Sequence, residues 1–157
     1  MGFNGGHSAA VFLSAAGRRA KMVSFDLAEF EYSETAQQLV GALYPDQLRL
    51  IAGRSETTVP RFSKRHGRAC DLFSVDGDHS YDGVRRDFDL VRNRTTHYIV
   101  LHDIASDEPS CAGVRRFWRE VRDQFETHEF VEQYDDVDGS YFGIGVIVVP
   151  RSNGIMY

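Results

Sequence analysis

Short apolar runs alternate along this chain with longer stretches in which apolar residues recur every three or four positions. Residues 21–27, 48–52, 71–75 and 98–101 have the length and the β-branched or aromatic content of buried strands. Residues 7–16, 33–43, 58–64, 80–92 and 114–125 carry helical spacing instead. In the last of these, Val114, Phe117, Trp118, Val121 and Phe125 fall on one face. Ser8 or Asn4 is placed to cap the first helix, Ser33 the second and Ser80 the fourth. Gly17, Tyr44-Pro45-Asp46 and Gly67 are the expected stops of the first three. Two final runs, 130–134 and 141–149, flank the turn-rich segment 135–140 and are expected to pair antiparallel.

Strands alternating with helices in units of about 25 residues imply a parallel sheet covered on both faces. The expected fold is therefore α/β, a doubly wound and mostly parallel sheet closed by an antiparallel hairpin. A length of 157 residues suits one domain. It is expected over residues 1–150 with a tail at 151–157, and no internal repeat or boundary interrupts it.

The chemistry concentrates where strands end. The run 71–75 stops in Asp76-Gly77-Asp78-His79-Ser80, and the run 98–101 stops in His102-Asp103-Ile104. Ligand sites of open α/β sheets lie at the carboxyl ends of strands, and these two strands are expected neighbours, so Asp76 and Asp103 should converge. Two carboxylates beside a histidine suit a hard divalent cation such as Mg2+. His79, in the polar turn, is the candidate base, of a type whose ordinary pKa suits neutral pH. His102 is equally readable as a ligand or as a satisfied core histidine, while Asp78 and Ser80 are assigned to the turn and the helix cap. Upstream, Gly2-Phe3-Asn4-Gly5-Gly6 would let a cofactor approach the backbone at a helix N-terminus. Asp26 ends a strand about 20 residues further on, where a carboxylate can accept from both ribose hydroxyls of a nucleotide.

Composition narrows the partners. With 42% apolar and 26% charged residues and a net charge of −5, broad binding to nucleic acid or anionic membrane is disfavoured. No run approaches the roughly 18 apolar residues of a membrane span, and no signal peptide is visible, so a cytoplasmic protein is expected. Cys70 and Cys111 lack the spacing of a metal knuckle or a disulfide framework. Cys70 is expected to be buried, and His7, His66, His97 and His128 to be structural or exposed.

Gly-Phe-Asn-Gly-Gly-His-Ser, Ser-Phe-Asp-Leu, Val-Asp-Gly-Asp-His-Ser-Tyr and Leu-His-Asp-Ile occur here in an order that resembles class I S-adenosylmethionine (SAM)-dependent O-methyltransferases. The nearest branch resembled is that of the macrocin O-methyltransferase and cephalosporin-hydroxylase-like enzymes; catechol O-methyltransferase is more distant. The resemblance runs from Gly2 to about Val149. It implies a seven-stranded Rossmann-like methyltransferase sheet and methyl transfer from SAM to a hydroxyl of a small molecule or sugar, assisted by a divalent metal. It places Gly2, Phe3, Asn4, Gly6 and Ser8 along the cofactor, Asp26 on its ribose and Ser55 near its adenine. It makes Asp76 and Asp103 metal ligands, with His102 where some relatives have a carboxylate, and His79 the general base.

The sequence departs from that pattern in three ways. The first central strand is missing ahead of the glycine turn, which should leave neighbouring ladders unpaired. Arg54 stands in Gly53-Arg54-Ser55 where relatives often have aspartate, and Ile104 replaces an asparagine ligand of catechol-type enzymes. Two rival readings are a nicotinamide-dependent oxidoreductase, disfavoured by the Asp76–His79 turn and the hairpin, and a catalytically impaired methyltransferase-like domain. A homo-oligomer is compatible with each.

Overall fold

The computed structural model describes residues 1–66, 70–132 and 142–150. The chain forms two compact units, Met1–Lys64 and Arg65–Tyr157. Among the described residues no helix is long and apolar enough to cross a membrane.

In the first unit the elements are α1 (His7–Ala16), β1 (Met22–Asp26), α2 (Ser33–Leu43), β2 (Leu48–Ala52) and the start of α3 (Ser55–His66). The two strands run parallel, in register from Met22 opposite Leu48 to Asp26 opposite Ala52. The small apolar face of α1 (Ala9, Leu13) and that of α2 (Ala36, Val40) pack with Phe3, and Met22, Tyr44, Leu48 and Leu50 close the cluster. Phe25 meets Phe62 edge to face at 5.7 Å.

Several boundaries differ from those expected. α1 is capped by Gly6 in the left-handed region (φ 77°), not by Ser8 or Asn4. A Cβ on Gly6 would come within 2.8 Å of Val40 Cγ2 and 3.0 Å of the Phe3 ring, so the close approach selects glycine. Ser33 does not cap α2. Tyr32 holds that position, and Ser33 Oγ is buried without a hydrogen-bond partner among the described residues. α3 begins a turn earlier than expected and contains Pro60. Its N-terminal turn is held by Glu56, which pairs with Arg54 at 2.6 Å, and by Thr58 Oγ1 donating to the Arg54 carbonyl at 2.9 Å.

The second unit contains β3 (Cys70–Val75), α4 (Tyr81–Val91), β4 (Thr95–His102), α5 (Ala112–Val121), β5 (Glu126–Phe130) and β6 (Ile144–Val148). Its strand order is β3-β4-β6-β5, parallel for β3–β4 and antiparallel for the other pairs. Adjacency of the strands ending near Asp76 and Asp103, and antiparallel pairing of the last two, are as expected. Among the described residues β1 is laddered to β2 only and β3 to β4 only.

α4 packs on α5 and β3, and α5 on β4. Phe88 and Phe117 meet edge to face at 5.3 Å, and Trp118 lies fully buried over Gly145, where a Cβ would come within 2.6 Å of the indole. β4 starts three residues earlier than expected. The fifth strand is Glu126–Phe130 instead of 130–134, because α5 tightens into a 3-10 turn at Arg122–Gln124 and releases the chain sooner. The last strand starts at Ile144, later than expected, and the expected stop at Gly67, the turn at 135–140, residue 141 and the tail lie outside the described residues.

Candidate active site

Asp26 organises the glycine turn of the first unit. Its Oδ2 accepts from the backbone N–H of Phe3 at 2.6 Å and of Asn4 at 3.2 Å, and its Oδ1 from Ala28 N–H at 2.7 Å. Burial pushes its pKa up, but the three N–H donors outweigh that and leave it below the ordinary carboxylate value. The Tyr32 hydroxyl donates to Asn4 Oδ1 at 2.5 Å, and Gly2 N–H donates to the Phe25 carbonyl at 3.0 Å. Gly2, Phe3, Asn4 and Asp26 are thus brought together. The Phe3 ring is in the core, so that residue offers the turn only its backbone. Gly6 and Ser8 stand at the start of α1, with Ser8 exposed, and Ser55 begins α3 beside Gly53.

In the second unit, the ends of β3 and β4 assemble the titratable cluster. Asp76 follows β3 directly, and His79 lies in the turn before α4. That turn is fixed by Asp78, whose Oδ1 accepts from Ser80 N–H at 3.0 Å, and by Ser80, whose Oγ accepts from Gly83 N–H at 3.0 Å. Both therefore have the structural roles expected of them. α5 presses onto this turn at Gly113, where a Cβ would lie 2.2 Å from Tyr81 N and 2.5 Å from the His79 carbonyl. His102 is the last residue of β4, and Asp103 follows with φ 61°.

The His79 ring spans the two carboxylates. Its Nε2 is 3.3 Å from Asp76 Oδ1 and its Nδ1 is 3.5 Å from Asp103 Oδ2. His102 Nδ1 lies 3.0 Å from Asp103 Oδ1 and 3.6 Å from Asp76 Oδ1. Despite that proximity neither His102 Nδ1 nor Asp103 Oδ1 has a hydrogen bond of acceptable geometry among the described residues, although both atoms are buried. The hydrogen bond to Asp76 pushes the His79 pKa up to about 9, against the opposing effect of burial. The Asp103 carboxylate likewise raises His102. Burial pushes Asp103 up, and the two imidazoles more than reverse it. In the protein without a cation the shift of His79 is thus upward, away from the ordinary histidine value that a base poised near neutrality would keep. The physical reason is the concentration of carboxylates around one ring.

A cation fits this end of the sheet. Two carboxylates and an imidazole nitrogen form a donor set that a divalent ion would satisfy, and two of its atoms, His102 Nδ1 and Asp103 Oδ1, are buried without a hydrogen bond among the described residues. Asp76, His102 and Asp103, expected to act together, do lie together. One participant was not anticipated. Cys111, buried, places Sγ 3.5 Å from both His79 Nδ1 and Asp103 Oδ2. Its sequence spacing from Asp103 matches no motif; the close approach of α5 at Gly113 brings it in.

Comparison with known proteins gives the fold a family. A family model described as a methyltransferase domain matches residues 1–104. No curated protein matches the sequence significantly. Among solved structures, the O-methyltransferase TomG from Streptomyces achromogenes, involved in tomaymycin synthesis and in complex with SAM, superposes with a TM-score of 0.68 at 16% identity. That match covers 95% of this chain and 71% of the other. An O-methyltransferase from Bacillus cereus in complex with SAH gives 0.66 at 18% identity, over 95% and 71%. CalS11, a TDP-rhamnose 3'-O-methyltransferase of calicheamicin biosynthesis, gives 0.68 at 14%, over 98% and 70%. At these identities the likeness establishes the fold, and with the match over the first 104 residues it places this chain in the methyltransferase-domain family.

Proposed function

We propose that the protein transfers a methyl group from SAM to a hydroxyl oxygen of a small molecule, with sugars as the leading acceptor class. The observation that carries the reading is the His79 imidazole spanning Asp76 and Asp103 at the ends of adjacent parallel strands. SAM as donor is supported by the complexes of the Streptomyces and Bacillus proteins, and a sugar acceptor by the rhamnose methyltransferase.

The turn at Gly2–Asn4, tied to Asp26, would receive the cofactor. Its N–H groups at Phe3 and Asn4 are paired to the Asp26 carboxylate and that of Gly2 to the Phe25 carbonyl, so the turn meets the cofactor with little reorganisation. In the reaction an acceptor oxygen attacks the methyl carbon, and the carbon–sulfur bond breaks with its electron pair going to sulfur. The hydroxyl proton goes to His79. Asp76 keeps Nε2–H in place, so Nδ1 is the atom that accepts. Alignment of the reactants is worth up to roughly 7–11 kcal/mol of the barrier. Asp76, His102 and Asp103 would hold a divalent ion, which supplies the charge that otherwise requires a protonated His79 and lowers the pKa of a hydroxyl.

Calorimetry with SAM and NAD side by side tests the donor. SAM binding with no NAD binding is expected, and the reverse would sink the reading. Transfer of labelled methyl from SAM to a panel of sugars and phenols then tests the acceptor class.

A further inference from the structure

His79 Nδ1, Asp103 Oδ2 and Cys111 Sγ form a triangle with all three sides 3.5 Å. A tetrahedral ion with metal–ligand distances of about 2.0–2.3 Å separates its nitrogen, oxygen and sulfur donors by about 3.4–3.6 Å. We propose that this triangle is a binding site for a thiophilic divalent ion of the Zn2+ class, distinct in its donors from the Asp76–His102–Asp103 set and sharing only Asp103 with it.

The chemistry of the three atoms agrees with their spacing. Thiolate and imidazole select zinc and its neighbours over magnesium, which prefers oxygen. His79 has the orientation that metal-bound histidines require, since its far nitrogen, Nε2, faces Asp76 Oδ1 at 3.3 Å. A carboxylate there fixes the tautomer and presents the Nδ1 lone pair to the ion. Asp103 is 94% buried by its 6% exposure, yet among the described residues the one hydrogen bond of acceptable geometry its carboxylate accepts is from the weak Cys111 thiol donor. The remaining neighbours of this buried carboxylate are the His79 and His102 imidazoles, and a bound cation would add directly coordinated charge to it. Binding displaces the thiol proton and any proton on Nδ1 to solvent, and no redox step is involved. The inference stands on donor geometry and does not depend on the methyl-transfer reading. The two readings do interact, because an ion on Nδ1 occupies the atom that would accept the acceptor's proton.

The test is optical. The Cys70→Ser protein, which leaves Cys111 as its single thiol, is freed of metal and titrated with Co2+ as the spectroscopic substitute. Expected are the intense visible bands of a tetrahedral ion, a near-ultraviolet sulfur-to-cobalt charge-transfer band, and loss of both on adding Zn2+ but not excess Mg2+. In Cys111→Ser the charge-transfer band should vanish and Zn2+ affinity fall by more than about tenfold. Co2+ binding without the charge-transfer band, or Zn2+ affinity indifferent to Cys111→Ser, would overturn the proposal. Should Cys111→Ser fail to fold, alkylation of Cys111 in the Cys70→Ser protein decides. Zn2+ should protect the thiol, and undiminished alkylation at saturating Zn2+ refutes the site.

Discussion

Asp26 Oδ2 accepts the backbone N–H of Phe3 at 2.6 Å, joining the end of β1 to a turn 23 residues away in the chain. With Asn4 and Ala28 the same carboxylate satisfies three backbone donors. Asp26→Ala should therefore destabilise the protein by about 1–3 kcal/mol, partial exposure keeping the loss toward the low end. SAM binding measured by calorimetry should be lost or greatly weakened. Retention of tight SAM binding would mean that the turn does not receive the cofactor.

The pH dependence of that loss has a definite sign. The folded-state pKa of Asp26 lies below its unfolded value, so its contribution is complete above the ordinary carboxylate pKa and fades as pH falls through the lower folded value. Urea denaturation of wild type and Asp26→Ala at neutral and acid pH should show the gap between them narrowing in acid.

His79 behaves in the opposite sense. Its pKa is raised to about 9 in the cation-free protein, so the associated stability is fully present below the ordinary histidine value and is lost as pH rises through about 9. Proton NMR of the imidazole should follow this titration directly. Asp76→Asn, which removes the first cause of the shift, should bring the midpoint back toward the ordinary value. An unchanged midpoint would mean that Asp76 is not its partner.

Asp76→Ala should abolish methyl transfer while largely sparing SAM binding, because Asp76 belongs to the titratable cluster and not to the Asp26 turn. Treatment with EDTA should likewise remove activity, and added divalent ion should restore it. Near-normal turnover in EDTA would remove the metal from the mechanism.

Gly113→Ala tests the approach of α5 to the turn that carries His79. The new methyl would sit 2.2 Å from Tyr81 N, against backbone that cannot rotate away. A loss of about 1–3 kcal/mol is expected from the overpacking. A shift in the His79 midpoint should accompany it, since Cys111 rides on the same segment.

Much of this was legible in the sequence because it is written in local patterns. The strand Leu48–Ala52 and the helices His7–Ala16 and Ser33–Leu43 have the limits that periodicity and stop signals predict. Asp76, His102 and Asp103 meet because two parallel neighbours end beside each other, a rule of topology that needs no coordinates. Hidden features depend on tertiary approach. Cys111 enters through a glycine contact that leaves no motif. Gly6 displaces Ser8 and Asn4 as the cap because Val40 and Phe3 crowd the turn. The pKa of His79 reflects the crowding of carboxylates around one ring, which composition does not reveal.

Consecutive residues of a strand point to opposite faces, yet His102 comes to 3.6 Å of Asp76 and Asp103 to 3.5 Å of His79 in one cluster. The turn of Asp103 into the left-handed region, φ 61°, makes this feasible. Only glycine, asparagine and aspartate take that conformation readily, and of the three only aspartate carries charge. Position 103 is thus specified twice, once by backbone torsion and once by electrostatics. Glutamate, the nearest chemical relative, satisfies the second requirement and fails the first.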